Sequence, residues 1–217
     1  LGHLRDCLLS VLDLHIHLVV APGGRRFITS DNPAFKYNQY CEGIKGIGVN
    51  GTLCRGLQVF LPVSPHTYLI FYDHAVYRAG TVRRPDVSLA TNSDIEMLNS
   101  VQVVAALENL YFSHWEQLDE IKGLLGRAGG HRDSDPMQVR TFVEEGDENH
   151  QLLQTYERMP NLGMNLSFIR ITKDARHDRP IERVHKWRKE FPMDDLPEPP
   201  ALRGRSVRFI ESPERKV

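Results

Sequence analysis

The sequence lacks the long apolar runs and the paired cysteines that mark two large classes of protein. Its longest apolar runs, at 14–20 and 101–107, fall far short of the roughly 20 residues that a membrane-spanning helix requires. Its three cysteines, Cys7, Cys41 and Cys54, match neither a metal-binding pair nor a secreted disulfide framework. We therefore expect no membrane partner, buried free thiols and a cytoplasmic location. A Cys41–Cys54 disulfide is the alternative in an oxidising compartment.

The sequence also has no excess of charge of either sign. Its 27 lysines and arginines nearly balance its 28 aspartates and glutamates, which gives a formal net charge of -1 at pH 7. This balance argues against a protein that binds nucleic acid through its bulk charge. The glycine-rich stretch at 43–56 is not a P-loop because no lysine precedes Thr52.

Hydrophobic periodicity divides the chain into strands and helices. Alternation predicts a strand at 14–20 that a turn at 22–24 joins to a second strand at 26–30, so the two form a β-hairpin. Ser93 and Glu96 predict a capping box at the start of a long helix. The further predicted elements are strands at 57–62, 67–72, 138–143 and 166–172, and helices at 2–12, 93–114, 116–125 and 180–191.

These elements predict an α+β fold in which a small, mostly antiparallel sheet is packed by one long and several short helices. Composition further predicts a division into three parts. A core occupies 1–130, and a segment at 131–191 contains an acidic stretch, strands and a basic helix. A proline-rich extended tail follows at 192–217.

Three short motifs resemble the C-terminal half of a known family. They are FITSDNP at 27–33, FLPVSP at 60–65 ahead of a strand, and the pair Leu98 and Asn99 in the following helix. In this order they resemble the domain of unknown function 4238 family, over residues 1 to about 115. The resemblance implies no assigned activity and no established cofactor. It also implies a missing N-terminal half, with which this chain could share a site.

The Ser-Asp-x-Pro segment supplies the principal candidate site. Asp31 follows a predicted strand, where a carboxylate can act as a general base, a divalent-metal ligand or a substrate clamp. Asn32 and Asn99 would then orient a substrate by hydrogen bonds, and Ser30 would contact it. In the competing interpretation, Ser30 and Asp31 bind the backbone of their own turn.

Two other groups of polar residues accompany predicted strands. Asp13, His15 and His17 alternate along the first strand, so they share one face and include ligand types that zinc and iron accept. They need a further ligand from elsewhere, and a solvent-facing polar strand is the simpler interpretation. Asp73 and His74 end another strand, where a turn is the simpler interpretation.

A basic segment at 173–190 offers a candidate nucleic-acid surface. It contains seven lysines or arginines against four acids. Arg183 would hold a phosphate group of the substrate and Trp187 would stack on a base. The alternative is an exposed helix with internal salt bridges, in which Trp187 packs on the core.

Two functional hypotheses follow. The first is an intracellular enzyme-like domain, a hydrolase of a phosphorylated or nucleic-acid substrate, with Asp31 at its centre and a divalent metal as its candidate cofactor. The second is a non-catalytic binding or assembly domain with a structural Ser-Asp-x-Pro turn and a protein partner. Catalysis requires a second carboxylate or imidazole within about 4 to 6 Å of Asp31. The structural role requires backbone hydrogen bonds to it.

Overall fold

The fold is α+β, in agreement with the sequence. The computed structural model describes residues 11–42, 49–131, 137–144, 147–157, 160–175 and 207–210. Within these ranges the α-helices are a long helix at Asn92–Ala105 and a second helix at Leu118–Ala128. The strands described are β1 (His15–Val20), β2 (Thr29–Ser30), β3 (Phe35–Tyr37), β4 (Gln58–Ser64), β5 (Thr67–Tyr72), β6 (Tyr77–Ala79), β7 (Val87–Leu89), β8 (Leu110–Tyr111), β9 (Met137–Glu144), β10 (Asp147–Glu157), β11 (Ile169–Ile171) and β12 (Val207–Ile210).

A five-stranded sheet forms the centre of the family-like region, with the strand order β3-β4-β5-β1-β7. All of its pairs are antiparallel except β1 with β7, which confirms a mostly antiparallel sheet. Alternate residues of β5, which are Tyr68, Ile70 and Tyr72, are buried. Because strand side chains alternate between faces, these three residues turn one face of the sheet toward the core.

The predicted hairpin between the first two strands is wrong. β1 pairs with β5, and the short β2 pairs with β8. After β1 the chain crosses the tip of the β4–β5 hairpin, where the N–H groups of Ala21 and Phe27 donate to the carbonyls of His66 and Pro65. Local alternation indicates a strand but not its partner, because pairing depends on the faces that the rest of the chain buries.

The long helix begins slightly earlier and ends much earlier than predicted. Its N-cap is Thr91, which forms a capping box with Asp94, so the predicted box of Ser93 and Glu96 is wrong by two positions. A capping box requires only a hydroxyl and a carboxyl three residues apart, and this stretch of sequence contains two such pairs. The helix ends at Ala105, and β8 lies within the residues predicted to continue it.

The long helix packs between two apolar clusters. Ile95 and Leu98 belong to the main core with the central sheet, whereas Val103 packs with Ile121 and Leu124 of the second helix. Burying a side chain of this size contributes about 1.5 to 3 kcal/mol. The long helix therefore joins the sheet to the second helix.

The other predicted elements differ from the structure mainly in their limits. The strands predicted at 57–62 and 67–72 are β4 and β5, and the one predicted at 138–143 lies within β9. The strand predicted at 166–172 is shorter and becomes β11. β12 lies in the predicted extended tail and pairs with β9. The helices predicted at 2–12 and 180–191 lie outside the described residues, apart from a turn that begins at Val11.

Neither Cys41 nor Cys54 forms a disulfide, so the alternative of a bridge between them is not realised. Cys41 is buried, and desolvation of its thiol raises its pKa. A buried, protonated thiol is a weak nucleophile. Cys7 lies outside the described residues.

Candidate functional site

Asp31 holds the loop that follows the long helix. Its Oδ1 accepts a hydrogen bond from the backbone N–H of Leu107 at 2.8 Å, and its Oδ2 accepts from those of Glu108 and Asn109 at 2.9 and 3.0 Å. In return, the N–H of Asp31 donates to the carbonyl of Asn109 at 3.1 Å. The carboxylate thus binds backbone, but in a loop more than 70 residues away and not in its own turn.

These contacts also determine the charge of Asp31. Desolvation raises the pKa of the carboxyl group, but the hydrogen bonds from Glu108, Leu107 and Asn109 outweigh it, so the pKa lies below its ordinary value. Both oxygens of the ionised carboxylate are already engaged, and a depressed pKa makes a weak general base. Among the described residues, no group of three or more His, Cys, Asp or Glu side chains could hold a metal ion.

Ser30 belongs to a buried hydrogen-bond network. Its Oγ donates to Oε1 of Gln102 at 2.9 Å, and Nε2 of Gln102 donates to the carbonyl of Pro33 at 3.0 Å and to the Tyr68 hydroxyl at 2.9 Å. Burial raises the pKa of Tyr68, so its hydroxyl stays neutral. All three side chains are buried, and the hydroxyl of Ser30 is therefore held inside the fold.

Asn99 and Asn32 connect the long helix to the segment that contains the first family motif. Oδ1 of Asn99 accepts from the N–H of Ile28 at 3.0 Å, and its Nδ2 donates to the carbonyl of Arg26 at 3.2 Å. Nδ2 of Asn32 donates to the carbonyl of Ala105, which is the last residue of the helix, at 3.3 Å. The two side chains replace backbone partners that the neighbouring segments would otherwise lack.

The structure therefore brings four of the six predicted site residues together, in what we call the motif cluster: Ser30, Asp31, Asn32 and Asn99, with Gln102. The sequence interpretation missed Gln102. Its position three residues after Asn99 is a signal that could have identified it, because residues at that spacing share a helix face. Arg183 and Trp187 lie outside the described residues, so the nucleic-acid surface stays a prediction.

An apolar groove lies beside the motif cluster. We call it the aromatic groove; it has a volume of about 320 Å³ and is lined by residues 27–29, 62–65 and 111–113. Two of these segments belong to the first and second family motifs. Tyr111 is 53% exposed, and Trp115, whose ring centre is 5.7 Å from that of Phe112, is 80% exposed. Exposed aromatic side chains beside an apolar groove are typical of binding surfaces.

A second cleft, which two arginines line, lies beside the edge strand β7. We call it the arginine cleft, and its volume is about 540 Å³. Arg84 and Arg170 line it, and neither forms an ion pair with a carboxylate of the described residues. Its other lining residues are Val20, Gly80, Thr81, Val87, Ser88, Leu89, Ser167 and Phe168.

His17 lies behind this cleft and is fully buried, which corrects the prediction of a solvent-facing polar strand. Its Nδ1 is 2.9 Å from the carbonyl oxygen of Pro85, and its Nε2 is 2.9 Å from Oγ of Ser88. A carbonyl only accepts, so Nδ1 carries the proton and Nε2 accepts from the Ser88 hydroxyl. Burial lowers the pKa of His17, and the bond to Pro85 and the charge of Asp86 only partly offset this.

The remaining polar candidates have other contacts. His15 is exposed and stacks on His74, with ring centres 4.3 Å apart. Asp73 is buried, and its carboxylate accepts from the N–H groups of Gly56 and Ala75, both at 2.9 Å. Asp73 therefore anchors a turn at the end of β5, as the simpler interpretation predicts.

The fold and these contacts define an α+β domain in which three short motifs join a helix, a sheet edge and a loop. The chain belongs to the family described as Protein of unknown function (DUF4238), whose model matches residues 4–115, more than half of its length. The predicted resemblance is thereby confirmed. Comparison with curated proteins and with solved structures finds no match. No helix in the described part of the chain is both long and apolar enough to cross a membrane.

Proposed function

We propose that this chain is a non-catalytic binding domain whose aromatic groove takes an extended, proline-containing segment of a partner protein. The observation that carries the proposal is the engagement of Asp31 with three backbone N–H groups at 107–109. The carboxylate that the sequence offers as a catalytic group has a structural role instead. In that role it holds the loop that leads into β8 and the aromatic residues of the groove.

The chemistry of the groove suits such a ligand. Proline-rich segments adopt an extended helix before binding and dock in aromatic-lined grooves, so they lose little conformational entropy. Tyr111 and Trp115 offer broad, exposed rings of the kind that dominate binding energy at interfaces. Arg26, which donates to Nε2 of His66 at 3.2 Å, directly precedes the lining residues and supplies a polar edge to the groove.

Tryptophan fluorescence tests this proposal directly. The chain has two tryptophans, so Trp187→Phe leaves Trp115 as the only reporter. Titration with a proline-rich peptide is expected to change its emission saturably, and the same peptide with alanine at each proline is expected to bind at least tenfold more weakly. Tyr111→Ala should weaken binding by a similar factor, while Val82→Ala, at an exposed position outside the groove, should not. No saturable change, or equal binding of both peptides, would refute the proposal.

A hydrolase of a phosphorylated substrate is the second candidate, at the arginine cleft and not at Asp31. The observation that favours it is the hydrogen bond from the Ser88 hydroxyl to Nε2 of His17, because a histidine activates a serine nucleophile through this contact. The full burial of His17 counts against it, since the imidazole must also reach a leaving group.

Covalent labelling separates the two candidates. A fluorophosphonate probe labels an activated serine, so the hydrolase predicts labelling of the wild type that Ser88→Ala abolishes. Ser100→Ala, on the exposed side of the long helix, is the matched control. The binding-domain proposal predicts no labelling of Ser88.

A further inference from the structure

The arginine cleft concentrates positive charge, and no carboxylate of the described residues forms an ion pair with its two arginines. Arg170 lines the cleft, and its direct cross-strand partner in the β6–β11 pair is Arg78, so a like charge and not an acid lies opposite it. The Arg78 guanidinium itself donates to the backbone carbonyls of His74 and Tyr77 and does not line the cleft. Arg84 supplies the second positive charge of the lining from the neighbouring turn.

The backbone determines where Arg84 lies. The turn at 81–84 is closed by reciprocal hydrogen bonds between the backbones of Thr81 and Arg84, both at 3.1 Å, and the Thr81 hydroxyl accepts a further bond from the N–H of Arg84 at 3.2 Å. Gly80 precedes the turn with a φ of +68°, and a Cβ there would lie 2.4 Å from the Arg84 carbonyl oxygen. The turn is therefore formed before any ligand binds, which lowers the entropy cost of binding.

Nearby carboxylates do not neutralise the cleft. Asp94 contacts Ser167, which lines the cleft, but the Asp94 oxygens accept four hydrogen bonds from the backbone and hydroxyl groups of Thr91 and Ser167. Asp86 does not line the cleft. Among the described residues, the acids in ion pairs are Glu96, Asp119 and Glu120, and none of their partners lines the cleft.

We propose that the arginine cleft binds the phosphate group of a small phosphorylated molecule, with Arg84 and Arg170 as its principal ligands. A guanidinium group matches a phosphate with two parallel hydrogen bonds, and arginine cannot lose its charge at physiological pH. The cleft volume of about 540 Å³ lies within the range of small-molecule sites. This site is separate from the aromatic groove and does not depend on the function proposed for it.

Ser88 lines the cleft, but we do not expect its hydroxyl to bind the phosphate. Its hydroxyl proton is directed to His17, so its lone pairs face away from the imidazole and would repel an anion. Thr81 and Ser167 are the lining residues with hydroxyls that could serve a phosphate, although Ser167 already donates to Asp94. We therefore expect the affinity to depend mainly on the two arginines.

Thermal unfolding of the full chain tests this site. Inorganic phosphate and a nucleoside monophosphate are added separately at constant ionic strength, with sodium chloride as the reference salt. A ligand that binds only the folded state raises the melting temperature increasingly as its concentration exceeds its Kd. We expect one or both phosphates to raise it, and Arg84→Gln or Arg170→Gln to weaken the affinity at least tenfold. A response to the monophosphate alone indicates a phosphate ester as the ligand, and an equal response indicates free phosphate.

The matched control is Arg83→Gln, which removes the same charge from an exposed neighbour that does not line the cleft. Arg84→Lys should restore only part of the affinity, because lysine keeps the charge but not the paired hydrogen bonds. The proposal is overturned if neither phosphate raises the melting temperature beyond the chloride reference. It is also overturned if Arg83→Gln loses as much affinity as Arg84→Gln, since binding would then follow bulk charge.

Discussion

The motif cluster and the arginine cleft use polar side chains in opposite ways. Around Asp31 and Gln102, most hydrogen bonds join one part of the domain to another. The exception is the N–H of Asn32, which donates to the Ser30 hydroxyl at 3.3 Å within the turn, as the competing interpretation predicts for Ser30. At the arginine cleft, Arg84 and Arg170 have no carboxylate partner among the described residues. Polar residues that satisfy one another explain how a fold is held together, whereas charges left without partners indicate where a ligand can bind.

This contrast changes the meaning of the family motifs. The Ser-Asp-x-Pro segment and the Leu-Asn pair have the residue types of an active site, yet they connect the long helix, β2 and the loop at 107–109. In the proposed binding function their contribution is indirect, because they connect the segments that form the walls of the aromatic groove. The charged cleft draws Arg170 from outside the region that the family model matches.

Gln102→Leu should break the motif cluster with the largest effect. It removes the bonds of Gln102 to the buried hydroxyls of Ser30 and Tyr68 and to the half-buried carbonyl of Pro33, and a buried group left without its partner costs about 1 to 3 kcal/mol. We expect the free energy of unfolding, measured by urea denaturation, to fall by about 3 kcal/mol or more. Tyr68→Phe, which removes one bond, should cost about 1 kcal/mol. A loss below about 1 kcal/mol for Gln102→Leu would show that the network does not stabilise the fold.

Gly80→Ala should have the second-largest effect, because it disturbs the turn that carries Arg84 into the arginine cleft. The residue has a positive φ, and the added Cβ would contact the carbonyls of Arg84 and Pro85. We expect a loss of more than about 1 kcal/mol in the free energy of unfolding, together with weaker phosphate binding because Arg84 is displaced. Gly23→Ala is the control, since nothing lies within 4 Å of its Cβ position and its φ is not positive. Equal stabilities of the two variants would contradict this account of the turn.

Two variants, Asp31→Ala and Asp31→Asn, should distinguish a structural role of Asp31 from a role as a metal ligand. The Ala variant loses all the carboxylate bonds to the loop at 107–109. The Asn variant places an amide N–H against backbone N–H groups, so both should melt at lower temperature than the wild type. Melting curves with and without Mg²⁺, Mn²⁺ and Zn²⁺ test the metal prediction. A metal-induced rise in the wild type that both folded variants lose would restore Asp31 as a ligand.

The pH dependence of stability should show the smallest effect. Burial lowers the pKa of His17 in the folded state, so between about pH 6.5 and its folded pKa the unfolded chain binds more protons. The stability contributed by neutral His17 is therefore present above about pH 6.5 and is lost as the pH falls. Desolvation, His74 and Arg78 lower the pKa of His15 and act in the same direction.

Urea denaturation at pH 7.5, 6.5 and 5.5 measures this loss. The slope of stability against pH should become shallower in His17→Gln, while His114→Gln, at an exposed position, serves as the control. Below about pH 4 a further loss is expected, because Asp31 and Asp94 have lowered pKa values and must be protonated as the chain unfolds. A slope that His17→Gln leaves unchanged would show that folding does not shift the pKa of His17.

Local sequence predicted much of the secondary structure. β5 has the predicted limits because it is an unbroken run rich in aromatic and β-branched residues. The strand predicted at 26–30 was reduced to β2, and its partner β8 lies within the residues predicted to be helical. In both places a long-range hydrogen bond outweighed the local preference.

The candidate site was only partly predictable for the same reason. The motifs identified Ser30, Asp31 and Asn99 as residues of interest, but nothing in their spacing indicates that Asp31 meets the backbone of 107–109. Backbone N–H groups carry no residue identity, so the sequence contains no signal for such a partner. The arginine cleft was missed because its two arginines are 86 positions apart in the chain and meet only through β6 and β11.

The sequence by itself determined the fold class, the family and the positions of about half of the described strands, since these depend on periodicity and on short runs of residues. Tertiary structure decided which polar side chains form hydrogen bonds within the fold and which can bind a ligand. A carboxylate, an imidazole or a guanidinium has the same chemistry wherever it stands in the chain. Its role depends on the donors, acceptors and charges that folding brings within about 3 to 4 Å of it.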